Sequence, residues 1–217
     1  MEIDLLRNYP KTNRNTQARS EEKTDAVRAI ARQFGEQFFD GERQYGYGGF
    51  HYFPRFWQPV VPDIQQQYRL TEHSSVLDVG CAKGFFLHDL KQLIPGITAK
   101  GIDISDYAIA HAKEEIKADV ICVCATRLPF ADNTFDLVMS VNTVHNLERK
   151  ECGQALQEIM RVSKGNAFIT VDAYRNAEEE ARMYEWNLTA KTIMHVDEWK
   201  AFFQKVGYTG DYFWFIP

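Results

Sequence analysis

The sequence predicts an α/β fold: a doubly wound, mainly parallel sheet of six or seven strands, with helices on both faces and an N-terminal helical and aromatic cap. Three observations carry this. From residue 76 onward, short apolar runs alternate with segments of helical periodicity, the pattern of βαβ units and of a parallel sheet covered on both faces. The chain of 217 residues is long enough for one such domain and too short for two of full size. Apolar residues make up 45% and charged residues 25%, an ordinary globular balance that argues against long disorder, collagen or coiled coil.

Taken in order, residues 1–18 carry no periodicity, and Met1 to Ser20 is polar, without the apolar core of a signal peptide. A flexible arm is expected there. Residues 19–69 read as the cap. Val27, Ile30, Ala31, Phe34 and Phe38 recur at helical spacing between Ser20 and Phe38, so one amphipathic helix is expected, broken by Asp40-Gly41. Tyr45 to Trp57 holds seven aromatic residues, three glycines and one formal charge; Pro54, Pro59 and Pro62 lead into a short helix through Gln66. Residues 70–217 carry the sheet. Val76–Val79 is the first strand, and Lys83–Ile94 is helical, with Phe86, Leu87, Leu90, Leu93 and Ile94 on one side. Thr98–Asp103 is the second strand, and Ser105 caps a helix lined by Ala108, Ile109, Ala112 and Ile116. Val120–Cys124 and Phe135–Val141 are the third and fourth strands. A helix marked by Cys152, Ala155, Leu156 and Ile159 leads to a fifth strand at Ala167–Asp172. An insert at about 174–195 contains a helix marked by Ala177, Ala181, Tyr184 and Leu188. Val196, Trp199, Phe202, Phe203 and Val206 mark the last helix, Gly207 stops it, and Tyr208–Ile216 is a final strand.

Lysine and arginine total 25 against 30 acidic residues, a net charge of −5. That is a poor match for nucleic acid or an anionic membrane surface. No run of about 18 apolar residues offers a membrane span. Neither partner is expected, and the protein is expected to be cytoplasmic. Cys81, Cys122, Cys124 and Cys152 form no Cys-x-x-Cys pair. Buried reduced thiols are expected, and no metal site, because structural zinc wants four closed ligands. His88 and His111 fall on polar helix faces and read as solvated.

Four motifs carry chemistry. Val76-Leu-Asp-Val-Gly-Cys-Ala-Lys-Gly84 runs from strand to helix through a tight turn, where glycines let the backbone approach a ligand and the helix start offers unpaired N–H groups. It is neither a dinucleotide fingerprint nor a phosphate P-loop: Ala82 and Phe85 stand where glycines would, and Gly-Lys-Ser/Thr is missing. Gly101-Ile-Asp-Ile-Ser105 ends the second strand with an acidic residue 23 positions after Gly80, able to accept hydrogen bonds from both hydroxyls of a ribose. Leu128-Pro-Phe-Ala-Asp-Asn-Thr-Phe-Asp-Leu-Val138 precedes the fourth strand, and Leu156-Gln-Glu-Ile-Met-Arg-Val162 precedes the fifth.

In this order the four motifs resemble those of class I S-adenosylmethionine-dependent methyltransferases of the type 11-like group, over about residues 70–207. The resemblance implies a Rossmann-like fold, S-adenosyl-L-methionine as methyl donor and S-adenosyl-L-homocysteine as product. It implies that Asp78, Gly80, Cys81, Ala82, Gly84, Asp103, Ile104, Ala125, Thr126 and Asn142 line the donor site, with Asp103 on the ribose and Ala125 and Thr126 near adenine. Two departures stand out. Ala82 replaces the middle glycine of the turn, and Cys124 stands where the family usually places an adenine-binding Asp. His145, after the fourth strand, lies beside the donor in the resembled fold and is the candidate general base. Asp172 and Tyr174 follow the fifth strand as candidates for touching the acceptor. Tyr47, Tyr52, Trp57, Tyr174 and Trp186 are the candidate acceptor-binding residues, on a Gly-hinged aromatic lid and the facing insert. The expected reaction is methyl transfer to an O or N nucleophile of a small-molecule acceptor, a sugar or other metabolite. Two alternatives stay open: a cofactor-binding pseudoenzyme or accessory subunit, and an RNA or protein methyltransferase. The family usually closes its sheet with an antiparallel hairpin, whereas this chain has residues for about one strand after Gly207. The open edge carrying Tyr212, Phe213, Trp214 and Phe215 would then be an association surface for a homodimer.

Overall fold

The apolar runs from residue 75 onward assemble into one sheet of seven strands: β1 Ser75–Val79, β2 Thr98–Asp103, β3 Val120–Cys122, β4 Leu137–Val141, β5 Ala167–Tyr174, β6 Met194–His195 and β7 Asp211–Phe215. The computed structural model describes residues 1–10, 23–48 and 51–217. The strand order is β3-β2-β1-β4-β5-β6, with β7 also pairing to β5. Each of these pairings is parallel. The helices are α1 Asp25–Ala31, α2 Glu36–Phe39, α3 Pro54–Trp57, α4 Val61–Tyr68, α5 Phe85–Leu93, α6 Asp106–Ala110, α7 Arg149–Val162, α8 Ala177–Trp186 and α9 Val196–Val206.

Side chains alternate across the sheet and so build two cores. Leu77, Val138, Ile169 and Val171 pack with Leu156 and Ile159 of α7 and Trp199 and Phe203 of α9. Val76, Leu137, Met139 and Phe168 pack with Leu87 and Leu90 of α5 and Ile64 of α4. A third, smaller cluster joins Val27, Ala31, Phe38 and Phe39 of the cap to Ala108 of α6 and Leu188 of the insert, with Ala82 packed against it. The cap therefore closes directly over the glycine turn. The strand order reverses at β1, which lies between β2 and β4. A ligand crevice belongs at the carboxyl ends of the strands flanking such a point.

The Glu-x-x-Arg-Val segment of α7 is structural. The Glu158 carboxylate accepts from the Leu128 N–H at 2.7 Å and from Arg161 Nε at 2.6 Å. Arg161 in turn donates to the carbonyls of Phe130 (2.8 Å) and Leu128 (3.0 Å). This tie holds the loop after β3.

Several expectations are corrected. The single helix expected from Ser20 to Phe38 is two helices, because Phe34 adopts a left-handed φ of 50° and Gly35 starts α2; residues 20–22 lie outside the described residues. The third strand stops at Cys122, two residues early. β6 was not foreseen, being only two residues long. The expected arm over residues 1–18 is no arm over its first ten residues: Leu5 is buried, Ile3, Leu6 and Tyr9 pack on the core, and Glu2 bridges Tyr212. The rest of it lies outside the described residues. The β7 edge thereby receives the N-terminal residues, and Phe213 to Phe215 line a cavity instead of an open association surface. His88 is buried, because Tyr52 folds over its helix face with ring centroids 5.0 Å apart. Cys81 and Cys152 are buried free thiols, whereas Cys122 is exposed on edge strand β3. Among the described residues no helix is long and apolar enough to cross a membrane.

Candidate functional site

The turn after β1 is unusual in its backbone. Gly80, Ala82 and Gly84 have φ of 89°, 49° and 75°, all left-handed. A β-carbon on Gly80 would lie 2.1 Å from Thr143 Oγ1, so this position has no room for a side chain. One on Gly84 would meet Ile116 Cγ2 at 2.9 Å. Ala82 holds the left-handed conformation without the freedom of glycine, a strain of about 1–2 kcal/mol. The reward is an N–H aimed across to β2: Ala82 N–H donates to Asp103 Oδ2 at 2.8 Å. The Ser105 N–H donates to Asp103 Oδ1 at 2.9 Å. An ionised carboxylate offers about four acceptor positions, so this one keeps capacity for a ligand after binding two backbone donors.

Asp78 and Asp103 sit together on adjacent strands, 6% and 8% exposed. Burial, and then the charge of Asp103, push the Asp78 carboxyl up to about 7. Burial raises Asp103 as well, opposed by the backbone N–H groups that it accepts. The nearby Lys83 is engaged elsewhere: its ammonium binds both oxygens of Asp40 at 2.6 and 2.8 Å, and Tyr107 O–H donates to Asp40 at 2.7 Å. That cluster, with Ser105 Oγ–H donating to the Phe34 carbonyl, fastens the cap to the turn.

These residues open into a cavity of about 1790 Å³ at the carboxyl ends of the strands. Single-ligand pockets usually span roughly 300–1,000 Å³, so this one has room for two ligands. Of the residues expected to hold a donor, Asp78, Gly80, Cys81, Ala82, Asp103, Ile104, Ala125 and Asn142 line it. Gly84 and Thr126 lie outside the lining: Gly84 is the buried N-cap of α5, and Thr126 Oγ1 is 3.1 Å from Cys124 Sγ. Ile104 is 56% exposed, and with Ala125 it gives the cavity an apolar lip.

The opposite wall comes from the cap, the insert and the ends of β4 and β5. Tyr47 stacks on Trp186 (5.3 Å, 27°), and both line the cavity. The Tyr47 oxygen accepts from the N–H groups of Leu188 (2.7 Å) and Thr189 (3.2 Å); burial, then the charge of Asp172, push this phenol up to about 12. Trp57 lines the far end, against Phe86 and Tyr9. Tyr52 and Tyr174 are not brought to the cavity. Tyr52 O–H donates to the buried Asp89 at 2.6 Å, and Tyr174 packs edge-on against His195. The pattern of aromatic residues cannot tell which rings turn inward.

His145 is buried on the 3₁₀ turn Val144–Asn146, and its two ring nitrogens face one residue. Nδ1 accepts from the Asp172 N–H at 3.0 Å, and Nε2 is 3.6 Å from Asp172 Oδ1. Burial lowers its pKa, opposed by Asp172. The expected general base is thus corrected: the basic nitrogen of the neutral ring is already used. Asp172 is fixed on its other side as well, where its carbonyl accepts from Trp199 Nε1–H at 2.9 Å. Thr143, the Lys83–Asp40 pair and the lining residues Phe213–Pro217 were not expected at the site; a signal, the aromatic density of the last strand, existed for the last group alone.

Comparison with known proteins agrees with this geometry. Residues 76–166 match a family model described as a methyltransferase domain. Malonyl-acyl-carrier-protein O-methyltransferase of Buchnera aphidicola is 31% identical over 123 residues, which is 55% of this chain and 45% of the relative. Norajmaline N-methyltransferase of Rauvolfia serpentina is 32% identical over 110 residues, 46% of this chain and 36% of the relative. The chain spans less than half the length of these two curated relatives. Among solved structures, the 4+2 cyclase SpnF has a TM-score of 0.58 at 18% identity, covering 92% of this chain and 74% of that one, a likeness of fold alone.

Proposed function

We propose that this chain is a class I S-adenosylmethionine-dependent methyltransferase, a reading that the match of residues 76–166 to a methyltransferase domain supports, and that it transfers the methyl group of this donor to an O or N nucleophile of a small-molecule acceptor. The observation that carries the reading is the Asp103 carboxylate, held by the N–H groups of the turn and of Ser105 in a cavity with room for a second ligand. The residues fit the donor. Asp103 would accept the ribose hydroxyls, Ile104 and Ala125 would flank adenine, and Asp78 offers a carboxylate for the amino group.

When bound, the sulfonium supplies a methyl group already activated for displacement. What the chain adds is alignment and the exclusion of water. Holding two reactants in line can contribute roughly 7–11 kcal/mol. The cap does this work through the Lys83–Asp40 pair and the Tyr47–Trp186 stack. The acceptor side, beside the Tyr47–Trp186 stack, is lined by rings, by the hydroxyls of Thr170 and Thr189, and by charges of both signs in Asp172, Glu148 and Lys191. That composition suits a compact metabolite better than a nucleic acid, and the net charge of −5 points the same way. Of the two relatives, one is an O- and one an N-methyltransferase, which supports either nucleophile.

The test pairs binding with transfer. Asp103→Ala should keep the fold and weaken donor affinity by about 1–3 kcal/mol, read by calorimetry, because ribose hydroxyls lose their acceptor. Tritiated donor incubated with size-fractionated lysate should label the low-mass fraction. Unchanged affinity in Asp103→Ala contradicts the donor site. Donor binding with no label transfer favours a cofactor-binding subunit, and label in the macromolecular fraction favours RNA or protein as acceptor.

A further inference from the structure

Asn142 follows the last residue of β4 with a φ of 52°, a left-handed conformation that side chains oppose and that the surroundings must impose. What imposes it is Thr170 on the neighbouring strand β5. The Asn142 N–H donates to the Thr170 carbonyl (3.2 Å) and to Thr170 Oγ1 (2.8 Å), and Thr170 Oγ1–H donates to Asn142 Oδ1 at 2.8 Å. Thr170 is 2% exposed, so its hydroxyl proton is shut off from bulk solvent and needs that amide oxygen. This decides which way the amide faces: oxygen toward Thr170, nitrogen away from it. The Asn142 carbonyl is taken as well, by Asn146 Nδ2 at 3.3 Å, and Asn146 Oδ1 accepts from Thr189 Oγ1–H at 2.8 Å. Of the polar atoms of Asn142, the amide nitrogen alone has no partner among the described residues, and Asn142 is an exposed residue of the cavity lining.

The place matters as much as the polarity. Thr143, next in the chain, is the residue that a β-carbon on Gly80 would strike, so it packs on the glycine turn. Thr170, Asn146 and Thr189 line the cavity on the side proposed for the acceptor. Asn142 stands where the two sides meet, at the carboxyl end of β4 next to β1. Resting on the methyl-transfer reading above, we propose that Asn142 is a specificity-determining residue that donates an amide N–H to an oxygen of the acceptor, and that Thr170 is the positioning residue that keeps the amide turned that way. An amide N–H only donates, so the atom it meets must bring a lone pair. The oxygen of a carboxylate, carbonyl, phenol or hydroxyl does so; an ammonium group at the same point sets donor against donor. The acceptor then has such an oxygen at the methylated atom or within about two bonds of it.

The decisive variant is Asn142→Asp. It matches asparagine in shape, tolerates the left-handed φ equally, and keeps an oxygen for the Thr170 hydroxyl, so a purely structural role predicts wild-type behaviour. With tritiated S-adenosylmethionine and cleared lysate as acceptor pool, it should transfer label about 30-fold more slowly, because an acceptor oxygen now meets a carboxylate. Its affinity for S-adenosylhomocysteine should stay within about threefold of wild type. Thr170→Val removes the orienting hydroxyl and should slow transfer about three- to tenfold; Thr170→Ser, which restores it, should recover most of that loss. The labelled product, fragmented by mass spectrometry, should carry its oxygen at the stated place. Wild-type transfer by Asn142→Asp, or a product without that oxygen, overturns this inference alone. Equal rates in Thr170→Val and wild type do the same, whatever the state of Asn142→Asp. A loss of S-adenosylhomocysteine affinity of about tenfold or more in Asn142→Asp puts the amide on the donor and also overturns it. A wild-type protein that binds no S-adenosylhomocysteine, or binds it and labels nothing, overturns the methyl-transfer reading and this inference with it.

Discussion

The two walls of the cavity are built in different ways. The wall proposed for the donor is mainly backbone: the turn from Gly80 to Gly84 and one carboxylate on the next strand, closed by N–H groups. The wall proposed for the acceptor is side chains, brought together from Tyr47, His145, Asp172 and Trp186, which no local pattern links. A backbone-built wall is set by glycine positions and leaves little to vary. A wall of side chains on separate elements can change its ligand without disturbing the sheet.

The comparison can be broken most forcefully at Gly80. Gly80→Ala adds a β-carbon 2.1 Å from Thr143 Oγ1 at a left-handed φ, and Thr143 belongs to the turn after β4. Overpacking and backbone strain together should cost about 2–5 kcal/mol in urea unfolding and abolish measurable donor binding. A variant with wild-type stability would mean that the two walls are not packed against each other there. Next in size is Asp40→Ala, which strands the buried Lys83 ammonium. About 1–3 kcal/mol of stability should be lost and the donor should dissociate faster, read by stopped-flow fluorescence.

A titration separates the walls further. Asp78 lies near 7 in the fold and near 3.9 in an unfolded chain. Its raised value gives stability that is complete below about pH 4 and is lost as pH rises through about 7. The melting temperature of ligand-free protein should therefore fall from pH 5 to pH 8, and fall less in Asp78→Asn. Affinity for the donor, whose amino group needs the carboxylate, should rise several-fold from pH 6 to pH 8. Equal pH dependence in the variant would remove Asp78 from the account. The smallest effect belongs to Ala82→Gly. Relief of the left-handed strain and the greater unfolded-state entropy of glycine nearly cancel, leaving stability within about 0.5 kcal/mol of wild type.

The same contrast explains what could be read in advance. The donor turn was legible because its signal is contiguous: an apolar run, Gly80, Gly84, and an acidic residue one βα unit later. The alternation of strands and helices likewise announced the sheet. Strand direction at its far end was not legible, since β7 lies parallel to β5 through contacts that no local pattern encodes. The break in the first helix rests on Phe34 in a left-handed conformation, which phenylalanine does not advertise. At His145 the sequence places an imidazole after β4 but says nothing of its nitrogens, and their partner is 27 residues away. Tyr52 and Tyr174 fail for a similar reason, each drawn off by a neighbour outside the cavity.

The pairing of the first residues with β7 sets an order of assembly. Ile3 donates to the Tyr212 carbonyl and Tyr212 to that of Met1, a junction between segments about 210 positions apart. Closing so long a loop carries a large entropic penalty until the intervening units have condensed. This seam should be the last part of the sheet to gain protection in pulse-labelled hydrogen exchange during refolding. During synthesis, Ile3 must wait about 210 positions before Tyr212, its partner, is made.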